Sequence, residues 1–238
     1  MESVPRESGA PALLSIIIPV YNERRTIEEV LRKVKAAPVT KQIIVVDDCS
    51  TDGSREYLQQ LQQADPEVEV LFHTRNQGKG GAIRTALPAV RGEYVLIQDA
   101  DLEYDPVEYP GLVSPVLQDR SVSVVFGSRF KGRIENMHWA NCLANRTLTA
   151  ATNLLFGAGI TDLCTGYKLY RSSLIQEVPL EQEGFDLEHE LTAKLLRRHV
   201  PIVEVPIGYR GRDVKSGKKV RWTDFFSNLY TLLRYRLQ

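Results

Sequence analysis

The sequence predicts an α/β fold, a doubly wound and mostly parallel sheet that continues into a C-terminal extension of helices and strands. Three observations predict it. Short, continuous apolar runs recur, as in strands buried on both faces. They alternate with stretches whose apolar residues fall at helical spacing, and parallel neighbours need such crossover helices. Acidic residues follow the runs, where open α/β sheets place their ligands, beyond the carboxyl ends of the strands.

Residues 13–18 form the first apolar run and residues 42–46 the second. Between them Ile27, Val30, Leu31 and Val34 repeat at helical spacing, and Thr26 with Glu29 reads as a capping box at that helix's start. The pattern repeats with a helix near 54–61, a strand at 68–72, a helix at 80–90 and a strand at 94–98. Asp105 and Pro106 supply a cap and an N1 proline for the next helix, and 121–126 is a further strand. After Gly127 the rhythm changes. A long helix (138–156) precedes a short strand (166–170), a helix carrying Leu187, Leu191 and Leu195 on one face, and a strand at 202–209. The last helix, 223–237, carries Phe225, Phe226, Leu229, Tyr230 and Leu233. Residues 1–12 read as a flexible leader and 13–238 as one domain.

The chain's 238 residues are 43% hydrophobic, enough for one sizeable core. The formal net charge is zero, which points away from nucleic acid. From residue 208 onward, however, eight Lys/Arg stand against two Asp/Glu, a basic end suited to anionic ligands or a phospholipid surface. Cys49, Cys142 and Cys164 form no CxxC pair, which fits a reducing, cytoplasmic compartment and argues against disulfides or structural zinc. No apolar run approaches the ~20 residues needed to span a bilayer, so membrane contact is expected to be peripheral or through a partner.

The chemistry-bearing residues follow the strands. The first ends in Pro19, Val20, Tyr21, Asn22 and Glu23; the second in Val46, Asp47 and Asp48; the fourth in Asp99, Ala100, Asp101 and then Glu103. Three acidic strand ends along one edge would repel one another without a cation or donor groups between them. Asp99 and Asp101, at i and i+2, would share a side of an extended chain and one cation, with Glu103 next in the series. Mg²⁺ or Mn²⁺ suits such a site, with few carboxylates, several waters and substrate phosphate oxygens. Asp47 and Asp48 are expected to meet donor groups of a base or ribose, and Asp52 to cap a helix. Asn76, Gln77, Gly78, Lys79, Gly80 and Gly81 open a helix whose free N–H groups, with Lys79, could meet phosphate. A tight turn with a glycine-packed helix fits the same residues, and the spacing matches neither a GxGxxG fingerprint nor a P-loop.

Taken together, P-V-Y-N-E, V-D-D-x-S-x-D-G, N-x-G-K-G, D-A-D-L and G-S-R, in this order and spacing, resemble family 2 glycosyltransferases of the GT-A fold. The likeness is greatest to the dolichyl- or polyprenyl-phosphate mannose and glucose synthases. The resemblance implies inverting transfer of a hexose from GDP-mannose or UDP-glucose to a polyprenyl phosphate, with residues 13–126 as the donor half and 127–238 as the acceptor half. It implies that Pro19, Tyr21, Glu23, Val46 and Asp48 hold the nucleoside, and that Asp99, Ala100 and Asp101 hold diphosphate and metal. Arg129 would face a donor or acceptor phosphate, and Arg212 and Lys218 match the family's late Arg and Lys. Glu103 departs from the pattern, as a further metal ligand or a cap. An ionised phosphate acceptor needs no general base. A hydroxyl acceptor, the competing reading, would need one from Asp162, Glu188 or Glu190, although Asp162 also reads as a turn residue and Glu190 as an i,i+4 partner of Lys194.

Overall fold

The computed structural model describes residues 12–212 and 222–238. Most of the expected leader, and Lys218, lie outside the described residues. Strands β1 (Leu14–Val20), β2 (Lys41–Asp47), β3 (Val68–Phe72) and β4 (Tyr94–Ile97) alternate with helices α1 (Ile27–Ala36), α2 (Ser54–Ala64) and α3 (Gly78–Ala86). Then come α4 (Tyr109–Gln118), β5 (Val124–Glu135), α5 (Trp139–Phe156), β6 (Lys168–Arg171), α6 (Ser172–Glu177), α7 (Leu187–Arg197), β7 (Val203–Arg210) and α8 (Trp222–Leu237).

The seven strands form one sheet in the order β3-β2-β1-β4-β6-β5-β7. β1 pairs in parallel with both β2 and β4, so the strand order reverses between β1 and β4, and their carboxyl ends flank the resulting crevice. β6 runs antiparallel to both its neighbours. The continuous apolar runs are continuous because each strand is buried twice. Ile16 and Ile18 of β1 pack with α1 and α4, while Ile17 packs with α3 and α7 on the other face. A smaller cluster around Leu148, Leu163, Leu232 and Tyr235 joins α5, α7 and α8.

Three local expectations are corrected. The capping box does not form: Thr26 Oγ1 donates to the Ala100 carbonyl (2.6 Å), and Glu29 instead pairs with Arg32. A tertiary partner outcompetes the local cap. The strand expected at 121–126 starts at Val124 and runs on to Glu135, held by β7 across an irregularity between Ser128 and Arg133. The α3 helix ends at Ala86, where Pro88 turns the chain into a short 3₁₀ turn. One face of α8 is core, through Leu232 and Tyr235, while Phe226, Tyr230, Leu233 and Leu237 face outward.

Candidate active site

A cavity of about 1150 Å³ opens at the β1/β4 crevice. Pro19, Tyr21, Glu23, Asp48 and Asn76 line one end; Lys79, Asp99, Ala100 and Asp101 line the middle; Trp139, Leu143, Phe225 and Phe226 line the apolar far lip. The loops after β1 and β2 are laced together. Asn22 N–H donates to Ser50 Oγ, Thr51 N–H to Asn22 Oδ1 and Glu23 N–H to Ser54 Oγ, at 2.8–3.0 Å. Asp52, expected to be a helix N-cap, accepts from Ser54 N–H and Arg24 N–H one residue before the cap, which is Gly53.

Of the Asp47/Asp48 pair, expected to meet donor groups of a base or ribose, Asp48 lines the cavity and Asp47 does not. Asp47 is fully buried and accepts from Arg55 (2.8 Å). Asp48 accepts from His73 Nδ1 (2.7 Å) and from the N–H groups of Gln77 (2.7 Å) and Gly78 (2.8 Å), so its carboxylate holds the glycine turn in place. The Val46 side chain lies in the core, outside the cavity lining. Nor is the start of α3 a free phosphate nest. Gly80 and Gly81 N–H donate to the Glu183 carbonyl at 2.7 and 3.2 Å. Gly78 takes φ +77°, and a Cβ there would lie 2.4 Å from that carbonyl oxygen, so glycine is required.

Lys79 reaches across the cavity to Asp99 (2.6 Å) and Glu188 (2.7 Å). Glu188 also binds Lys168 (2.7 Å), which is 1% exposed. Burial disfavours the charged form of Glu188, but Lys168 and Lys79 outweigh it and hold the carboxyl down to about 2. On the opposite wall Arg212 donates to Asp101 (3.0 Å) and Glu23 (3.3 Å), and its backbone N–H donates to Glu103 (3.1 Å).

β4 ends at Ile97, and the chain turns at Ala100–Asp101, so the extended i, i+2 geometry does not hold. Leu102 then adopts φ +64° and directs Glu103 to Tyr209 OH (3.0 Å) and Arg212, not into a set with Asp99 and Asp101. Among the described residues no three acidic, His or Cys side chains gather as a ready-made metal site. Two carboxylates with phosphate oxygens and water nonetheless suit Mg²⁺ or Mn²⁺. Burial, then the neighbouring Asp99 and Glu103, push Asp101 up to about 7 against the pull of Arg212. Asp99 and Asp101 thus crowd negative charge that a divalent cation would relieve, and these residues fit one.

Arg129, expected to face a phosphate, lines the cavity and is held there by a buried counter-ion. It is 4% exposed, and Asp162, fully buried, accepts from its Nε and Nη2 at 2.7 Å each and from its N–H at 3.0 Å. Asp162 is therefore a buried counter-ion rather than a turn residue. Glu190 does pair with Lys194 at 2.6 Å, and it also accepts from the N–H groups of Glu181 and Gln182. The sequence reading missed the tyrosine floor beneath the Asp99 turn. Tyr109 and Tyr167 both donate to Gln98 Oε1 at 2.7 Å, Gln98 donates to the Asp99 carbonyl, and Tyr104 OH accepts from Gly166 N–H. Only a periodic spacing of tyrosines could have signalled this, and the three come from separate stretches of the chain.

The model of the glycosyl transferase family 2 matches residues 15–178. The polyprenol monophosphomannose synthase of Mycolicibacterium smegmatis is 32% identical over 92% of this chain and 91% of its own. The undecaprenyl-phosphate mannosyltransferase of Micrococcus luteus is 31% identical over 85% of each. Among solved structures, glucosyl-3-phosphoglycerate synthase from Mycobacterium tuberculosis, in complex with Mn²⁺, UDP-glucose and phosphoglyceric acid, superposes with a TM-score of 0.72 at 23% identity. That match covers 94% of this chain and 80% of the other. The sheet is thus that of the GT-A fold. With well over half its length under the family model and its cavity at that sheet's switch point, the chain belongs to glycosyl transferase family 2.

Proposed function

We propose that this enzyme transfers a hexose, with inversion, from a nucleotide sugar to a polyprenyl phosphate. Donor binding falls mainly to residues 13–126, joined by Arg212 from the acceptor half, 127–238. The observation that carries this reading is the state of the cavity's carboxylates. Glu23, Asp48, Asp99, Asp101, Glu103 and Glu188 are each held by a cation, a ring N–H or backbone N–H groups. The other candidate bases, Asp162 and Glu190, are bound to Arg129 and Lys194. Glu188, held near 2 by two ammonium groups, is too weak a base to deprotonate a hydroxyl. An acceptor that arrives ionised needs none of them, and a phosphate monoester with a second pKa of about 6 does so. The names of the two mannosyl-transferring relatives support a lipid phosphate acceptor and weigh toward mannose.

The acceptor oxygen attacks the anomeric carbon opposite the departing nucleoside diphosphate. One C–O bond forms as one breaks, and the configuration inverts. Lys79 and Arg212 stand on either side of Asp99 and Asp101, placed to meet the charge growing on the diphosphate. Lys79 can turn from Asp99 to phosphate while Glu188 still holds it. A divalent cation, Mg²⁺ or Mn²⁺, bound at Asp99 and Asp101 supplies neutralising charge there. Arg129, pinned by Asp162, acts by shaping the wall.

Among the described residues no helix is long and apolar enough to cross a membrane. The outward row Phe226, Tyr230, Leu233 and Leu237, near Arg234 and Arg236, supports a peripheral contact with the bilayer that carries the acceptor. The test pairs GDP-mannose or UDP-glucose and Mn²⁺ with a short polyprenyl phosphate and, separately, with the matching polyprenol. Mass spectrometry should find hexose on the phosphate alone; equal transfer to the alcohol would overturn the reading.

A further inference from the structure

One buried charge reaches the cavity only through its neighbour. Lys168 lies on β6, between β4 and β5 in the sheet, and is 1% exposed. Its side chain does not line the cavity. The ammonium sits 5.3 Å from the centroid of the Phe126 ring and 2.7 Å from Glu188 Oε2, its one ion-pair partner among the described residues. An ammonium in the middle of a sheet is costly to desolvate, and apolar replacements of buried ion pairs are often neutral or stabilising. Stability therefore gives no reason for a lysine at this place. Its effect on the cavity does.

Glu188 divides its two oxygens between two ammonium groups. Oε2 faces Lys168 and Oε1 faces Lys79, each at 2.7 Å, and Lys79 Nζ reaches on to Asp99 Oδ1 at 2.6 Å. Lys168, Glu188, Lys79 and Asp99 thus form a row of alternating charges with a sum of zero. Two further titratable groups near Lys168 add none. Burial, followed by the charge of Lys168, holds His189 down to about 3, so the imidazole is neutral. Burial pushes the Cys164 thiol up to about 12, so it keeps its proton.

When Asp99 serves the metal proposed above, it leaves that row. The remaining three residues then carry one positive charge, next to the place where the proposed reaction puts a diphosphate. Without Lys168 the same wall would hold Glu188 and Lys79 alone, a neutral pair with little attraction for an anion. Two contacts of 2.7 Å join Lys168 to Lys79 through the Glu188 carboxylate, so a phosphate bonded to Lys79 lies on the order of 10 Å from Lys168. At that range and an effective dielectric of about 20, one unit charge changes the affinity for an opposite one by about tenfold.

We propose that Lys168 is a positioning residue for donor binding: it neutralises Glu188 from behind and so keeps the Lys79 wall net positive toward the diphosphate. This rests on the nucleotide-sugar reading above. The test is equilibrium dialysis of the whole chain, in Mn²⁺, with GDP and UDP against guanosine and uridine, which lack the phosphate charge. Lys168→Met should weaken the nucleoside diphosphate by about tenfold and leave the nucleoside within about twofold. Adding Glu188→Gln to Lys168→Met removes the uncompensated carboxylate and should recover most of the loss. A lysine that only packed the sheet would on replacement weaken nucleoside and diphosphate together, and removing a second charged group would restore neither.

If Lys168→Met binds the diphosphate within about twofold of wild type, weakens nucleoside and diphosphate alike, or gains nothing from Glu188→Gln, the assignment falls and Lys168 is structural. If the wild type binds no nucleoside diphosphate at all, the donor reading falls and this inference with it. Melting curves identify a variant that fails to fold. Lys168→Gln, which keeps an N–H toward Glu188 but no charge, then carries the comparison, with the same loss of about tenfold expected.

Discussion

Replacing Asp162 by alanine removes the three contacts that hold Arg129, two side-chain N–H bonds of 2.7 Å and one backbone bond of 3.0 Å. Asp162 is fully buried and Arg129 is 4% exposed, so the guanidinium is left charged, dry and without its counter-ion. Breaking a buried pair by removing one partner costs about 3–5 kcal/mol. For a domain of this size each kcal/mol moves the melting temperature by roughly 2–4 °C, so Asp162→Ala should melt roughly 6–20 °C below wild type. Removing both charges is a different perturbation. An Arg129→Met, Asp162→Leu double variant leaves no orphaned ion and should melt above Asp162→Ala. Calorimetric melts of the three proteins decide it. If Asp162→Ala melts within about 2 °C of wild type, or the double variant melts lowest, Arg129 is not pinned and its guanidinium is available to a substrate phosphate after all.

Asp101→Asn should lower turnover by roughly 10²-fold or more while the melt is retained, and the thermal shift produced by Mn²⁺ with nucleoside diphosphate should vanish; a wild-type shift would remove Asp101 from the metal set. Gly78→Ala forces φ +77° on a residue with a Cβ and drives that Cβ into the Glu183 carbonyl, so stability should fall by at least about 1–3 kcal/mol in urea titrations. His189 titrates near 3 in the folded protein against 6.5 unfolded. Its contribution to stability is therefore complete above pH 6.5 and is lost as pH falls toward 3. Between pH 6.5 and 5 that loss is about 2 kcal/mol, so His189→Phe should show a correspondingly shallower decline over the interval, and a steeper one would reverse the sign of the argument.

The donor half of the fold was legible because its signals are local. Runs such as Ile16–Ile17–Ile18 are buried on both faces, and a strand of that kind announces itself without its neighbours. The acids at the strand ends were legible as a group for the same reason. What each acid does was not. Asp48 is engaged by His73, 25 residues on, Arg129 by Asp162, 33 residues on, and Asp101 by Arg212, 111 residues on. Spacing along the chain carries no trace of such pairings. The course of the chain after β4 hinged on one residue, Leu102, whose positive φ nothing in its own chemistry predicts. The antiparallel direction of β6 and the extension of β5 to Glu135 are likewise set by strands far away in sequence.

In-line transfer needs the donor and the acceptor oxygen at a spacing fixed to a fraction of an ångström, and residues 181–186, just before α7, bond to both α3 and α8. The Glu183 carbonyl caps α3 beside Lys79, while Glu181 accepts from Tyr235 OH (3.1 Å) and Arg234 (3.0 Å) of α8, and Asp186 from Ser227 OH (3.2 Å). The joint has little slack. A Cβ at Gly80 would lie 2.7 Å from the Gln182 carbonyl, as one at Gly78 would strike Glu183, so the glycine turn is in close backbone contact with this segment. The α8 helix, whose outward row is the part proposed to touch the bilayer, and the turn that presents Lys79 are thus bonded to the same short segment. Packing of this kind resists gradual deformation, which favours a spacing set when the protein folds over one assembled when substrate arrives.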